Sequence, residues 1–69
     1  MFIRLINNTE NRKGDPIIIN VNSIISVYEN HVDGGSLSTV IFGQNDLTWN
    51  VEESLEEVYN KIESSLKRI

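Results

Sequence analysis

Few residues in this chain can carry chemistry. It has one histidine, His31, and no cysteine, so thiolate catalysis, disulfides and cysteine-based zinc sites are excluded. His31 and Asp33 are spaced like two metal ligands, but a zinc site needs three or four ligands and a supporting shell of hydrogen bonds. We therefore interpret this pair as the polar tip of a hairpin, and we predict neither a metal ion nor a cofactor.

Carboxylates and hydroxyls offer no better catalytic set. The acidic residues near the end of the chain lack the alternating oxygen ligands and the glycine of a calcium-binding loop. They are Asp46, Glu52, Glu53, Glu56 and Glu57. Any serine nucleophile would need His31 as its base, and no serine lies in a nucleophile-elbow motif. The sequence predicts no catalytic residues and a protein that is not an enzyme.

The charge distribution argues against nucleic acid as a partner. The net charge is -4, and seven acidic residues from Glu29 to Glu57 follow one another with no lysine or arginine between them. Binding to a phosphate backbone requires clustered basic side chains, which this arrangement does not provide. A nucleic-acid-binding small barrel is therefore the weakest of three functional hypotheses.

The hydrophobic pattern predicts an α+β domain spanning residues 1–69. Period-two alternation and turn residues indicate strands at about 2–6, 16–20, 24–29, 37–42 and 47–51, with a short 3₁₀ turn near 20–23. Ser54 and Glu57 form a capping box that begins an amphipathic helix at about 55–68. We expect a small five-stranded antiparallel, barrel-like curved sheet followed by this helix. No apolar run could span a membrane and no signal peptide is visible, so we expect a cytoplasmic protein.

The strands carry more apolar surface than one helix can cover. Leu47, Trp49 and Val51 share one side of the fifth strand and are predicted to face inward, and in the third strand Ile25 and Val27 are predicted to share one side. Other strands are apolar on both sides, so the second side of the sheet must close on itself or pack against another copy. The candidates for this interface are Phe2, Ile18, Tyr28, Val40 and Phe42.

The pattern of strands and the helix entry resembles the FlbD/SwrD-like family of small flagellar and swarming-motility proteins, and similar short phage or Bacteroidota-type proteins. The matching positions are 2–5 with Asn7, 17–20, 24–27, 39–41, 49–54, 56–58 and Ile62. The resemblance covers nearly the whole chain and implies a non-enzymatic regulatory or accessory protein. It implies no functional residues.

Two functional hypotheses remain beside nucleic-acid binding. The favoured one is a regulatory or accessory binding protein that acts through an exposed apolar sheet face, as a homo-oligomer and with another protein. The alternative is a phage- or mobile-element-encoded oligomer that sequesters a small ligand or host factor between subunits. Arg12 and Lys13, in the polar loop that follows the first strand, are the candidate ligand-binding residues for that alternative.

Overall fold

The computed structural model describes residues 1–32 and 36–67. It is an α+β fold of antiparallel strands followed by one C-terminal helix, as the sequence predicts. The strands are β1 (Phe2–Ile6), β2 (Pro16–Asn20), β3 (Ile24–Val32), β4 (Ser36–Gly43) and β5 (Thr48–Val51), and the helix is α1 (Leu55–Leu66). A 3₁₀ turn at Val21–Ser23 joins β2 to β3, where the sequence predicts a short turn. A second turn at Gln44–Asp46, in which Asn45 and Asp46 have a left-handed backbone, joins β4 to β5.

The prediction of one five-stranded, barrel-like sheet is wrong. The strands form a two-stranded sheet, β1–β2, and a three-stranded sheet, β3–β4–β5. Among the described residues, the backbones of the two sheets pair only at an isolated bridge between Asn7 and Val51. Val51 is the last residue of β5, so β1 lies opposite the chain that leads to α1, and the Ile6 N–H donates to the Glu53 side chain there.

The three-stranded sheet has unequal strands. β3 and β4 pair from Ile24 opposite Gly43 out to Val32 opposite Ser36, whereas β5 pairs only with residues 39–42 of β4. The far part of the β3–β4 hairpin therefore extends as a two-stranded ribbon, in a molecule measuring 42 × 22 × 21 Å. β3 lies at the edge of this sheet.

The core lies between the inner faces of the two sheets and α1. Its buried members are Ile3, Leu5, Ile19, Val21, Ile41, Val51 and Val58, with Ile17, Ile24, Val27, Trp49 and Ile62 packed against them. Ser54 accepts from the Glu57 N–H and Glu57 reaches back to the Ser54 N–H, which completes the predicted capping box. The capping box sets the first residue of α1. Val58 lies on the apolar face of the helix, and this face packs against the core.

Two positions depart from simple alternation. Leu47 is predicted to face inward, but it precedes β5, ends the Gln44–Asp46 turn and is 54% exposed. Ile25 is predicted to share one side of the strand with Val27, yet Ile25 is 68% exposed and Val27 packs against the core, because the register shifts between Ile24 and Ser26. A bulge of this kind inserts one extra residue into the strand, so the side chains beyond it point to the face opposite to the one that simple alternation predicts.

Candidate functional site

Phe2 and Ile18 form an exposed apolar patch on the outer face of the β1–β2 hairpin, here called the hairpin patch. Each is 65% exposed. Phe2 is opposite Asn20 and Arg4 is opposite Ile18, so Phe2 and Ile18 are diagonal neighbours on one face. The alternate residues Ile3 and Ile19 are buried in the core, which fixes the hairpin patch on the outside.

The whole outer face of this hairpin lacks acidic side chains. It presents three alternate residues from each strand, namely Phe2, Arg4, Ile6, Pro16, Ile18 and Asn20. Its one charge is the guanidinium of Arg4, in a chain of net charge -4. This face therefore carries a positive charge in a chain that is negatively charged overall.

The other three interface candidates lie together on the three-stranded sheet. The rings of Tyr28 and Phe42 are tilted against each other with centroids 5.3 Å apart. Val40 is only 7% exposed, because it lies on the same face between its cross-strand neighbours Tyr28 and Asn50. Val40 is thus unavailable for contact, while Tyr28 is 39% exposed and Phe42 is half-buried.

A groove of about 390 Å³ runs between β1 and α1, here called the β1–α1 groove. Its lining residues are Phe2, Ile3, Arg4, Asn60, Lys61, Ser64 and Ser65. The Lys61 ammonium donates across the groove to the carbonyl oxygen of Arg4 at 2.8 Å. Because Lys61 lies on the helix and Arg4 on the strand, this bond connects the two walls.

An apolar cleft that the sequence did not reveal lies on the other side of the helix, between β3 and α1. It encloses about 300 Å³ and includes Ile25, Leu55, Tyr59 and Ile62 in its lining. Tyr59 is 58% exposed, and its hydroxyl donates to Glu63 at 3.0 Å, which raises the pKa of Tyr59. The sequence signal for this cleft is the apolar stripe of the helix, to which Leu55, Tyr59 and Ile62 belong.

The acidic residues around the helix entry bind backbone groups. Both carboxylate oxygens of Glu53 accept the Ile6 N–H, and the carboxylate of Glu29 accepts the Leu55 N–H at 3.4 Å. Glu57 completes the capping box. Carboxylates at the first turn also interact favourably with the helix dipole. Glu29, Glu53 and Glu57 therefore stabilise the local structure around the start of the helix.

The remaining chemical candidates are two basic residues of one loop and the pair His31 and Asp33. Arg12 and Lys13 are exposed in the loop between β1 and β2, where only Lys13 borders a shallow polar depression. Asp33 lies outside the described residues, and His31 is described only by its backbone pairing with Leu37. Across residues 1–32 and 36–67, no three His, Cys, Asp or Glu side chains are grouped to hold a metal ion.

Comparisons with known protein families, with curated proteins and with solved structures found no match to this chain. The resemblance to FlbD/SwrD-like proteins therefore stays a prediction. Within the described part of the chain, no helix has both the length and the apolar character needed to cross a membrane.

Proposed function

We propose that this protein is a small non-enzymatic accessory binding protein that acts through protein–protein contacts, and that the hairpin patch joins two copies of it. The observation that carries the proposal is the pair of large apolar side chains, Phe2 and Ile18, each 65% exposed on one face. Exposed contiguous apolar groups of this kind are typical of interaction sites. The cytoplasmic location expected from the sequence stays a prediction.

A second copy is the occupant that fits this face best. Two molecules of net charge -4 repel each other, but the outer face of the β1–β2 hairpin brings no carboxylate to the contact. A two-fold contact would bury Phe2 and Ile18 twice, once from each subunit. It would also cover the exposed side of a two-stranded sheet, which is marginally stable by itself.

The required area is available on the molecule. A standard dimer buries about 600–1,000 Å² per subunit, and the molecule exposes 5031 Å² in all. The hairpin patch would form the centre of such an interface, with Arg4 and Asn20 towards its rim. Arg4 could then pair with an acidic side chain of the second copy outside the apolar centre.

Two isoleucine substitutions test this proposal as a matched pair. Ile18 and Ile25 are 65% and 68% exposed, but Ile25 lies on β3, away from the hairpin patch. We expect sedimentation velocity to show a dimer for the wild type and for Ile25→Asp, and a folded monomer for Ile18→Asp. A dimer that survives Ile18→Asp, or dissociates only with Ile25→Asp, would contradict the proposal.

A further inference from the structure

β1 has an open backbone edge beside α1. Met1 accepts from the Val21 N–H and Asn7 donates to Asp15, so the odd-numbered residues of β1 direct their backbone groups towards β2. The even-numbered residues, Phe2, Arg4 and Ile6, direct theirs to the opposite edge. Ile6 is satisfied there by Glu52 and Glu53. Within the described part of the chain, the Phe2 N–H, the Phe2 carbonyl and the Arg4 N–H have no partner at that edge.

These groups lie along the β1–α1 groove. The open part of the strand, from Phe2 to Arg4, spans about 7–10 Å at about 3.3 Å per residue. A groove of about 390 Å³ beside it has room for a short extended segment. Proteins bind peptides at free strand edges of this kind, and the bound peptide becomes an additional strand of the sheet.

The charged residues that line the groove indicate which kind of peptide segment it would bind. Its lining includes Arg4 and Lys61 and no acidic residue, although the chain has ten acidic and only six basic residues. Asn60 and Ser64 add polar groups on the helix wall, and Phe2 adds an apolar surface at the mouth. Complementarity therefore favours a ligand with carboxylates and some apolar side chains.

Lys61 occupies the position that a ligand donor would take. Its ammonium satisfies the carbonyl of Arg4, which is the acceptor that an incoming peptide N–H needs. A bound peptide would donate one of its own N–H groups to this carbonyl oxygen and place a carboxylate beside the Lys61 ammonium. The Arg4 carbonyl and the Lys61 ammonium would then both remain paired. Lys61 thereby guards the open edge in the free protein and becomes available to an anionic ligand.

We propose that the β1–α1 groove binds an extended acidic peptide segment of a partner protein, added as a strand to the free edge of β1 and held by Lys61 and Arg4. Ile18 is not among the lining residues of this groove, although Phe2 and Arg4 belong to both surfaces and Arg4 lies opposite Ile18. Ile18→Ser, which adds no charge opposite Arg4, should therefore bind the peptide at least as tightly as the wild type, so that loss of the dimer and loss of peptide binding are distinguishable.

The probe is a fluorescent, end-blocked hexapeptide of alternating aspartate and valine, titrated with the full chain and followed by anisotropy. We expect saturable binding that weakens as salt is added, because exposed charges contribute. The same peptide with lysine in place of aspartate should not bind. A version with N-methylated backbone nitrogens should bind at least about tenfold more weakly, because it cannot pair with the strand edge.

Matched lysine variants locate the site. Lys61→Glu should weaken binding by about tenfold or more, and Lys61→Gln should weaken it less. Lys67→Glu makes the same charge change at an exposed residue just beyond α1 and outside the groove lining, so its affinity should stay within about twofold of wild type. Circular dichroism of each variant checks that the fold is retained.

Three results would overturn the proposal. The first is no binding of the acidic peptide, and the second is equal binding of the acidic and N-methylated peptides. The third is unchanged peptide binding by Lys61→Glu together with new self-association, which would mean that Lys61 only protects the edge from other chains.

Discussion

Both carboxylate oxygens of Glu53 accept the backbone N–H of Ile6, at 3.0 and 3.1 Å. The contact joins the segment before α1 to the last residue of β1, across 47 positions of sequence. It lies beside the Asn7–Val51 bridge, where the two sheets pair. The Glu53 side chain thus adds to the backbone bonds from Asn8 to Asn50 and from Glu52 to Ile6 at this junction.

Glu53→Ala should destabilise the protein by about 1–3 kcal/mol, because the partly buried Ile6 N–H loses its acceptor. Glu52→Ala is the matched control, since Glu52 is exposed and bonds to Ile6 only through its own backbone N–H. The control should change stability by no more than about 0.5 kcal/mol. Urea unfolding at constant m-value measures both, and equal losses would contradict a specific role for Glu53.

Gly43→Ala should destabilise the protein by about 1–3 kcal/mol through overpacking. The φ of Gly43 is -115°, which any residue adopts, so the requirement for glycine is steric. An added Cβ would lie 2.5 Å from Cζ3 of Trp49 and 3.0 Å from the carbonyl oxygen of Ser23. Thermal unfolding of the variant measures the loss.

The Trp49→Leu background provides the control for Gly43→Ala. Removing the indole ring should reduce the loss of stability that Gly43→Ala causes, because the added Cβ would no longer contact Trp49. The same penalty in both backgrounds would mean that Trp49 does not determine the need for glycine.

Glu63→Gln should lower the pKa of Tyr59 towards its ordinary value. The Tyr59 hydroxyl donates to the Glu63 carboxylate, and both this bond and the negative charge favour the neutral phenol. Because the folded state raises this pKa, the associated stability is present below about pH 10 and is lost as pH rises through the folded-state pKa. Phenolate absorbance in a Tyr28→Phe background measures the titration, and an unchanged midpoint would contradict the assignment.

The sequence predicted the local elements better than their assembly. Pro16, the capping box from Ser54 to Glu57 and the run at 20–23 are signals that act within a few residues, and each lies where the structure begins or turns an element. Sheet closure depends instead on whether β1 and β5 pair along their length. They do not, because Asn7 pairs with Val51, the last residue of β5, so that the two strands meet end to end, and no periodicity reveals this register.

The candidate surface was predicted only in part for a similar reason. Phe2 and Ile18 were interface candidates from alternation, and both are exposed on the outer face of the β1–β2 hairpin, which has no register shift. Alternation did not reveal that cross-strand neighbours bury Val40, or that the bulge near Ile25 turns this residue outward. The β1–α1 groove was missed entirely, since it depends on how a helix from the end of the chain meets a strand from its beginning.

Native mass spectrometry of the wild type beside Ile18→Asp and Ile25→Asp shows directly whether the hairpin patch joins two copies. We expect a species at twice 7.9 kDa for the wild type and Ile25→Asp, and a single 7.9 kDa chain for Ile18→Asp. A wild-type spectrum containing only the 7.9 kDa chain at concentrations of tens of micromolar, or a dimer that persists in Ile18→Asp, would contradict self-association through the hairpin patch.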